Sequence, residues 1–228
     1  MGQMKISLVA DGRALDKPFN PAKLIVAGWT GRDKAALEKH IRELEELGVA
    51  RPASTPIYYR VSASRLSTAD RIEVTGGESS GEVEFVLAQL DGELWVGVGS
   101  DHTDRKAETY NVTVSKQMCE KPIAPTFWRF GDVAGHWDQL IMRSWIQENG
   151  ARVLYQEGCV TAMLDPRALI RGYEGRENLD EGAVMFCGTF AAKGGIRPAG
   201  NFEFEIHDPV LNRSIHHEYR LEQLPVLG

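Results

Sequence analysis

The stretch SGEVEFVLAQLDGELWVGVGSD, residues 80–101, predicts two antiparallel strands joined by a tight turn. Asp91-Gly92 between two apolar runs is the strongest short-range signal for a hairpin with a two-residue type I′ turn. Such a turn pairs Leu90 with Glu93, and each step back along one strand then matches a step forward along the other. The turn therefore fixes which side chains share a face of the hairpin.

Three acidic residues share one face of this predicted hairpin. Under the register set by the turn, Glu84 lies opposite Gly99 and Glu82 lies opposite Asp101. Gly97 and Gly99 are expected to leave room for a ligand beside them. Opposed like charges destabilise a sheet, so the pattern requires either solvent or a cation. The alternatives are a solvated acidic face and a site for Mg²⁺ or Mn²⁺, hard cations that favour carboxylate oxygens.

The composition is that of an ordinary globular protein. The chain has 228 residues, of which 43% are hydrophobic and 25% charged, with a formal net charge of −6. This charge argues against a broad nucleic-acid surface, and no apolar run is long enough to span a bilayer. The N-terminus lacks a signal-peptide pattern, and Cys119, Cys159 and Cys187 are widely spaced, so we expect reduced thiols in a cytoplasmic protein.

Strand patterns outnumber helical patterns along the chain, and no βαβ rhythm is visible. We therefore expect an α+β fold with a β-rich mixed or rolled sheet and a few peripheral helices. Residues 31–48 carry the clearest helix, with Asp33 as its N-cap and Gly48 as its stop. Residues 107–125 are predicted to form a strand and a loop, and residues 137–149 have apolar residues at helical spacing.

Four segments in a fixed order resemble the fumarylacetoacetate hydrolase superfamily. They are GEVEF at 81–85, SDHTDR at 100–105, SKQMCEKPIAP at 115–125 and EGAVMFCGTF at 181–190. In that superfamily an E-x-E strand precedes an Asp-x-x-x-Arg, a lysine before a proline-containing loop, and a late strand ending in Gly-Thr. TPIYYRVSASRL at 55–66 also resembles the stretch before its metal strand.

The resemblance covers about residues 23–206 and implies a short, divergent member of the superfamily. It implies a mixed β-roll of the fumarylacetoacetate hydrolase type, a homodimer, and a small carboxylate as substrate. We expect a single catalytic domain over residues 1–228, with an N-terminal hairpin or appendage at 1–22 and the core at 23–228.

The resemblance also implies roles for individual residues. The implied metal ligands are Glu82, Glu84 and Asp101; Lys116 would steady a substrate oxo group, Arg105 would face the substrate, and Thr189 would bind a substrate carboxylate. The chain departs from the family pattern at Glu108, where a glutamine is common.

His40 and Glu43 are candidate catalytic residues in the predicted helix. Relatives that hydrolyse carbon–carbon bonds often carry His-x-x-Glu in an early helix, and this chain has KHIRE at 39–43. His40 falls within the apolar stripe of the helix, and Glu43 lies one turn away on its border. The alternatives are a core histidine and an imidazole that Glu43 orients as a general base.

Three functions are consistent with these residues. The leading hypothesis is a metal-dependent hydrolase that cleaves a carbon–carbon bond in a 2-oxo or 1,3-dicarbonyl acid, with His40 and Glu43 activating water. The alternative is a metal-dependent decarboxylase, dehydratase or tautomerase of a 2-oxo acid. The third is a non-catalytic binding protein in which the acidic residues form a solvated face.

Overall fold

The computed structural model describes residues 4–46 and 51–227, without the side chains of His40, Glu43, Leu44 and Glu46. The strands, in chain order, are β1 (Met4–Ala10), β2 (Arg13–Phe19), β3 (Lys23–Gly28), β4 (Ile57–Val61), β5 (Leu66–Ser67), β6 (Arg71–Thr75), β7 (Ser79–Ser80), β8 (Val83–Leu90), β9 (Glu93–Ser100), β10 (Thr103–Asp104), β11 (Lys121–Pro122), β12 (Thr126–Arg129), β13 (Ile141–Glu148), β14 (Ala151–Cys159), β15 (Ala183–Phe186), β16 (Asn201–Asp208) and β17 (Arg213–Leu224). The helices are α1 (Lys34–Glu46), α2 (Arg105–Tyr110), α3 (Val112–Met118), α4 (Phe130–Val133) and α5 (Pro166–Glu174).

Two large sheets form the frame of the molecule. The first has eight strands in the order β2-β1-β12-β9-β8-β15-β3-β4, and the second has five in the order β14-β13-β16-β17-β6. Both are mixed, since β1 pairs with β12 in parallel, as does β15 with β3 and β17 with β6. The expected α+β fold with large mixed sheets is confirmed. Within residues 1–22, β1 and β2 extend the eight-stranded sheet beyond β12.

The central hairpin β8–β9 is buried on both faces. Phe85 joins a large apolar cluster with residues of the five-stranded sheet such as Phe204. Val86, on the opposite face of β8, belongs to a second cluster with Phe186 of β15. Removing this much apolar surface from water favours a rigid hairpin, so the residues at its open end are firmly positioned.

The hairpin has the predicted register. Leu90 pairs with Glu93 and Glu84 pairs with Gly99. Asp91 and Gly92 have φ values of 55° and 76°, which a type I′ turn requires. The prediction from the Asp-Gly turn is therefore confirmed at every step to the open end.

Two other predictions are wrong. Helices α2 and α3 occupy residues 105–118, where a strand is predicted from residue 107 onward, because Asp104 accepts a hydrogen bond from Ala107 N (2.8 Å) and Asn111 accepts one from Val114 N (3.1 Å). These side chains cap the two helices. Residues 141–148 form the strand β13, whose alternate residues are buried, instead of continuing a helix.

Helix α1 begins where the sequence predicts. Asp33 accepts hydrogen bonds from the backbone amides of Ala35 (2.9 Å) and Ala36 (3.0 Å). The predicted stop at Gly48 lies outside the described residues. No helix within residues 4–46 and 51–227 is long and apolar enough to cross a membrane.

Candidate metal centre

The three hairpin acids converge at the open end of β8 and β9. One carboxylate oxygen each of Glu82, Glu84 and Asp101 lies within 4.8 Å of the other two. Glu84 belongs to β8. Glu82 precedes β8 and Asp101 follows β9, and Asp101 N donates a hydrogen bond of 2.9 Å to Glu82 O. Strand alternation and the turn register thus produce the predicted acidic cluster, which we call the triad.

Gly97 and Gly99 of β9 lie against side chains of the protein core. A Cβ atom at Gly97 would lie 2.7 Å from the ring of Phe127, and one at Gly99 would lie 2.8 Å from the ring of Phe186 and from Pro122 O. The space beside these glycines is therefore filled by the protein's own core. The expectation that they leave room for a ligand is wrong.

Glu84 is a buried carboxyl group with little compensation. Its side chain is enclosed, with the residue 2% exposed, and Gly188 N donates a hydrogen bond of 2.7 Å to its Oε2. Burial first, and then the charges of Asp101 and Glu82, raise the pKa of Glu84 well above its usual range. Burial and the neighbouring carboxylates therefore favour the protonated form of Glu84.

Asp101 is equally buried but is surrounded by cations. Lys116 Nζ forms an ion pair with one carboxylate oxygen, and Lys121 Nζ lies 3.1 Å from the other. Burial alone would raise the pKa of Asp101, but Lys116 and Lys121 outweigh it and hold the pKa well below its usual range. The triad is therefore not balanced by solvent or a metal alone, since the protein supplies cations of its own.

The predicted active-site lysine, Lys116, reaches the triad from α3. It is 6% exposed, and its Nζ lies 5.8 Å from the centre of the Tyr59 ring. Burial lowers the pKa of Lys116, but the charges of Asp101, Glu82 and Glu84 raise it by a larger amount. The net pKa of Lys116 therefore lies above its usual range. Lys116 therefore remains a cation at the edge of the triad.

Arg105, the predicted substrate-facing residue, is occupied by contacts within the protein. Its Nε donates to Ser80 Oγ (2.7 Å), and its Nη1 donates to Glu108 Oε2 (2.9 Å). Its Nη2 lies 3.2 Å from Glu82 Oε1. The guanidinium group thus links a triad carboxylate to Glu108, and its role toward a substrate stays a prediction.

Thr189, the predicted carboxylate-binding residue, lies against the start of β8. Its hydroxyl donates to Val83 O (2.7 Å) and accepts a hydrogen bond from Gln156 Nε2 (2.9 Å). Gln156 Oε1 in turn accepts from Val83 N (2.9 Å). The single hydroxyl proton of Thr189 is already donated, and its role toward a substrate also stays a prediction.

Two buried residues at this site escaped the sequence analysis. Lys121 carries a charge within the run KPIAP, which is the one signal that could have identified it. Gln156 is a polar residue in the buried part of β14, but its partner Val83 lies 73 positions away in the chain. No local pattern connects two residues so far apart in sequence.

His102, the residue after Asp101, does not belong to the triad. Its Nδ1 bonds the hydroxyl of Tyr219 (2.8 Å) and its Nε2 bonds Ser79 Oγ (2.9 Å). Burial, followed by the charges of Lys121 and Arg105, lowers its pKa to about 3. Both ring nitrogens of His102 therefore bond other protein groups, and neither is free to bind a metal at the triad.

The predicted His40–Glu43 pair lies in α1, but its side chains are outside the described residues. The helix itself is confirmed, and its neighbour Ile41 is 2% exposed. The catalytic and structural alternatives for His40 both stay open.

The donor set of the triad fits a hard divalent cation. All three side chains offer carboxylate oxygens, which are the ligands that Mg²⁺ and Mn²⁺ prefer. The buried carboxyl group of Glu84, next to two further carboxylates, would gain the countercharge that Gly188 N alone does not provide.

Comparison with known proteins places the chain in a family. A family model described as a protein of unknown function (DUF2848) matches residues 27–219. The chain belongs to the DUF2848 family. A comparison of the DUF2848 chain with proteins of curated function finds no match.

Solved structures share the fold of this DUF2848 protein. The crystal structure of Cg1458 with an inhibitor is 16% identical, with a TM-score of 0.64 over 94% of this chain and 84% of that one. The structure of 2-keto-3-deoxy-D-arabinonate dehydratase complexed with magnesium and 2,5-dioxopentanoate is 12% identical, with a TM-score of 0.63 over 95% and 86% of the two chains. Both have the fumarylacetoacetate hydrolase-type fold, so the predicted fold is confirmed. At these identities the similarity concerns the fold alone.

Proposed function

We propose that this protein is a divalent-metal-dependent lyase that removes a leaving group, such as water, from a 2-oxo acid. The observation that carries the proposal is the convergence of Glu82, Glu84 and Asp101 beside the cationic Lys116. Support comes from the shared fold of a dehydratase that was solved with magnesium and a dioxo acid. The proposal includes assignment to the fumarylacetoacetate hydrolase superfamily and a homodimeric state, which light scattering tests.

The triad would hold the cation through its three carboxylates. When bound, Mg²⁺ or Mn²⁺ would supply Lewis acidity at the carboxylate and oxo oxygens of the substrate. Gly188 N fixes the orientation of Glu84, and Arg105 fixes that of Glu82. These contacts position the ligand oxygens before a cation arrives, which lowers the cost of assembling the site.

Lys116 provides the positive charge that the proposed reaction needs. Loss of a proton from carbon 3 of a 2-oxo acid places negative charge on the oxo oxygen. A preorganised ammonium group beside that oxygen stabilises the charge as it develops. In dehydration the electron pair then forms the carbon 3–carbon 4 double bond and expels the hydroxyl group on carbon 4. The proton lost from carbon 3 and the expelled hydroxide together account for one water molecule, and the product is an unsaturated 2-oxo acid.

Hydrolysis of a carbon–carbon bond is a second candidate function. Helix α1 contains His40 and Glu43 three residues apart, the spacing at which one side chain can orient the other. In this candidate His40 removes a proton from water, which then attacks a second carbonyl group. An acylpyruvate would be cleaved into pyruvate and a carboxylic acid, a product pair that a dehydratase cannot form.

Proton exchange tests the proposal without knowledge of the leaving group. Pyruvate incubated with the protein and Mg²⁺ in deuterium oxide should exchange its methyl protons, because exchange requires only proton removal from carbon 3. Glu84→Gln and an excess of chelator should each abolish the exchange, whereas Glu93→Gln, an exposed change of the same chemistry, should leave it intact.

Product analysis then separates the candidate functions. Sugar-derived 2-oxo acids, oxaloacetate and acylpyruvates are incubated with Mg²⁺ and followed by nuclear magnetic resonance. Water loss or decarboxylation supports the lyase, and pyruvate formed together with a free acid supports the hydrolase instead. Metal binding without exchange or turnover on any member of the set would contradict both and favour a binding protein.

A further inference from the structure

Arg105 and Glu108 form a pair at the exposed side of the triad. The Arg105 side chain is 15% exposed and that of Glu108 29% exposed, while Glu82, the triad member that Arg105 contacts, is 18% exposed. These are the more open members of the site, since Glu84 and Asp101 are enclosed. A ligand arriving from solvent could therefore contact this pair and Glu82.

All three nitrogen atoms of the Arg105 guanidinium group already contact groups of the protein. Its Nε contacts Ser80, its Nη1 contacts Glu108, and its Nη2 lies between Ser80 O (3.5 Å) and Glu82 (3.2 Å). Burial lowers the pKa of Arg105, but the charges of Glu82 and Glu108 outweigh burial, so that the pKa lies above its usual range. The arginine therefore supports Glu82 and does not present a free cation.

The Glu108 carboxylate can accept hydrogen bonds at a position where the Arg105 guanidinium group alone would offer only N–H donors. Its Oε2 receives Arg105 Nη1, and no hydrogen bond reaches its Oε1 from the part of the chain that the structure describes. Burial is the main cause of the raised pKa of the Tyr59 hydroxyl, and the charge of Glu108 adds to it.

We infer that Glu108 is a specificity-determining residue that excludes a second carboxylate from the substrate and accepts a neutral hydrogen-bond donor instead. A carboxylate placed there would face the Glu108 carboxylate, whose partner Arg105 is already engaged by Glu82 and Ser80, and such like-charge contacts are costly. A hydroxyl group can donate to Glu108 Oε1. The inference rests on the proposed function and adds that the substrate carries one carboxylate.

Two ligands of equal chain length provide the test. Both 2-oxopentanoate and 2-oxoglutarate present the same 2-oxo acid end, and only 2-oxoglutarate has a distal carboxylate. Calorimetry with Mg²⁺-loaded protein should show tighter binding of 2-oxopentanoate. Glu108→Gln keeps the side-chain size and removes the charge, so affinity for 2-oxoglutarate should rise by about tenfold or more, equivalent to about 1.4 kcal/mol.

Controls identify what each outcome means. Affinity for 2-oxopentanoate should change less than about threefold in Glu108→Gln, and Glu93→Gln should change neither affinity. Glu108→Ala should shift the preference in the same direction. An unchanged preference in both Glu108 variants, or an equal shift for both ligands, overturns the inference and leaves the proposed function standing. If neither ligand binds the Mg²⁺-loaded parent protein, the proposed function fails and the inference fails with it.

Discussion

Glu84 and Asp101 lie in the same acidic cluster and are both buried, but their surroundings are opposite. Asp101 contacts two lysines, and its pKa is held below the usual range. Glu84 receives one backbone amide and faces carboxylates, and its pKa is raised. These surroundings favour the ionised form of Asp101 and the protonated form of Glu84, a division also found where two acids share a catalytic site.

This difference explains how the cluster is stable before a metal binds. Lys116, Lys121 and Arg105 compensate part of the negative charge, and the raised pKa of Glu84 favours its neutral form, which would remove more of it. Asp101 therefore contributes to the folded structure, whereas the ionised form of Glu84 is needed only when a cation is bound. Substitutions at the two positions should have opposite effects on stability.

The largest expected effect is that of Asp101→Asn. The change leaves two buried lysines without their shared carboxylate, and breaking a buried ion pair from one side costs about 3–5 kcal/mol. Denaturant unfolding of the metal-free protein should show this loss. Asp16→Asn, at an exposed position, serves as the control and should stay within about 0.5 kcal/mol of the parent. A stable Asp101→Asn protein would contradict the assigned role of the lysines.

Glu84→Gln should have a smaller effect of the opposite sign in the metal-free protein. A group whose pKa is raised in the folded state contributes stability below its unfolded pKa and loses it as pH rises through the folded pKa. Glutamine imitates the protonated form and can still accept from Gly188 N, so Glu84→Gln should unfold at equal or higher denaturant concentration at pH 8.

The same variant should lose its metal. Removal of a direct ligand should weaken Mg²⁺ binding by more than about 100-fold, since indirect partners of a ligand alone contribute 10- to 100-fold. Calorimetry of Glu84→Gln and of the control Glu93→Gln measures this. A destabilised Glu84→Gln protein that binds Mg²⁺ normally would show that Glu84 has a structural role and no ligand role.

The parts of the site that the sequence predicts are those fixed by local rules. Asp91-Gly92 determines the turn, the turn determines the register, and strand alternation then brings Glu82, Glu84 and Asp101 together. Each step concerns neighbouring or directly paired residues, so no knowledge of the remaining fold was required.

The parts that the sequence does not predict depend on distant partners or on competing local signals. Val112, Thr113 and Val114 favour a strand, but the cap at Asn111 and the burial of Lys116 against the triad place them in α3. Lys121 and Gln156 were missed because their partners are identified only once the two sheets have packed. The resemblance located Lys116, while its pairing with Asp101 required the structure.

The smallest expected effect, and the one that most directly compares the two carboxyl groups, is the proton released on metal binding. Glu84 must lose its proton to become a ligand, whereas Asp101 is already ionised, so binding of one Mg²⁺ should release up to about one proton. Apparent affinity should therefore rise with pH, by at most about tenfold per pH unit, until the pKa of Glu84 is passed. Calorimetry in buffers of different ionisation enthalpy counts the released protons. The same heat in every buffer, with an affinity that does not change between pH 6 and pH 9, would mean that Glu84 is ionised without a metal. The lysines would then compensate the whole triad, and the division between Glu84 and Asp101 would not exist.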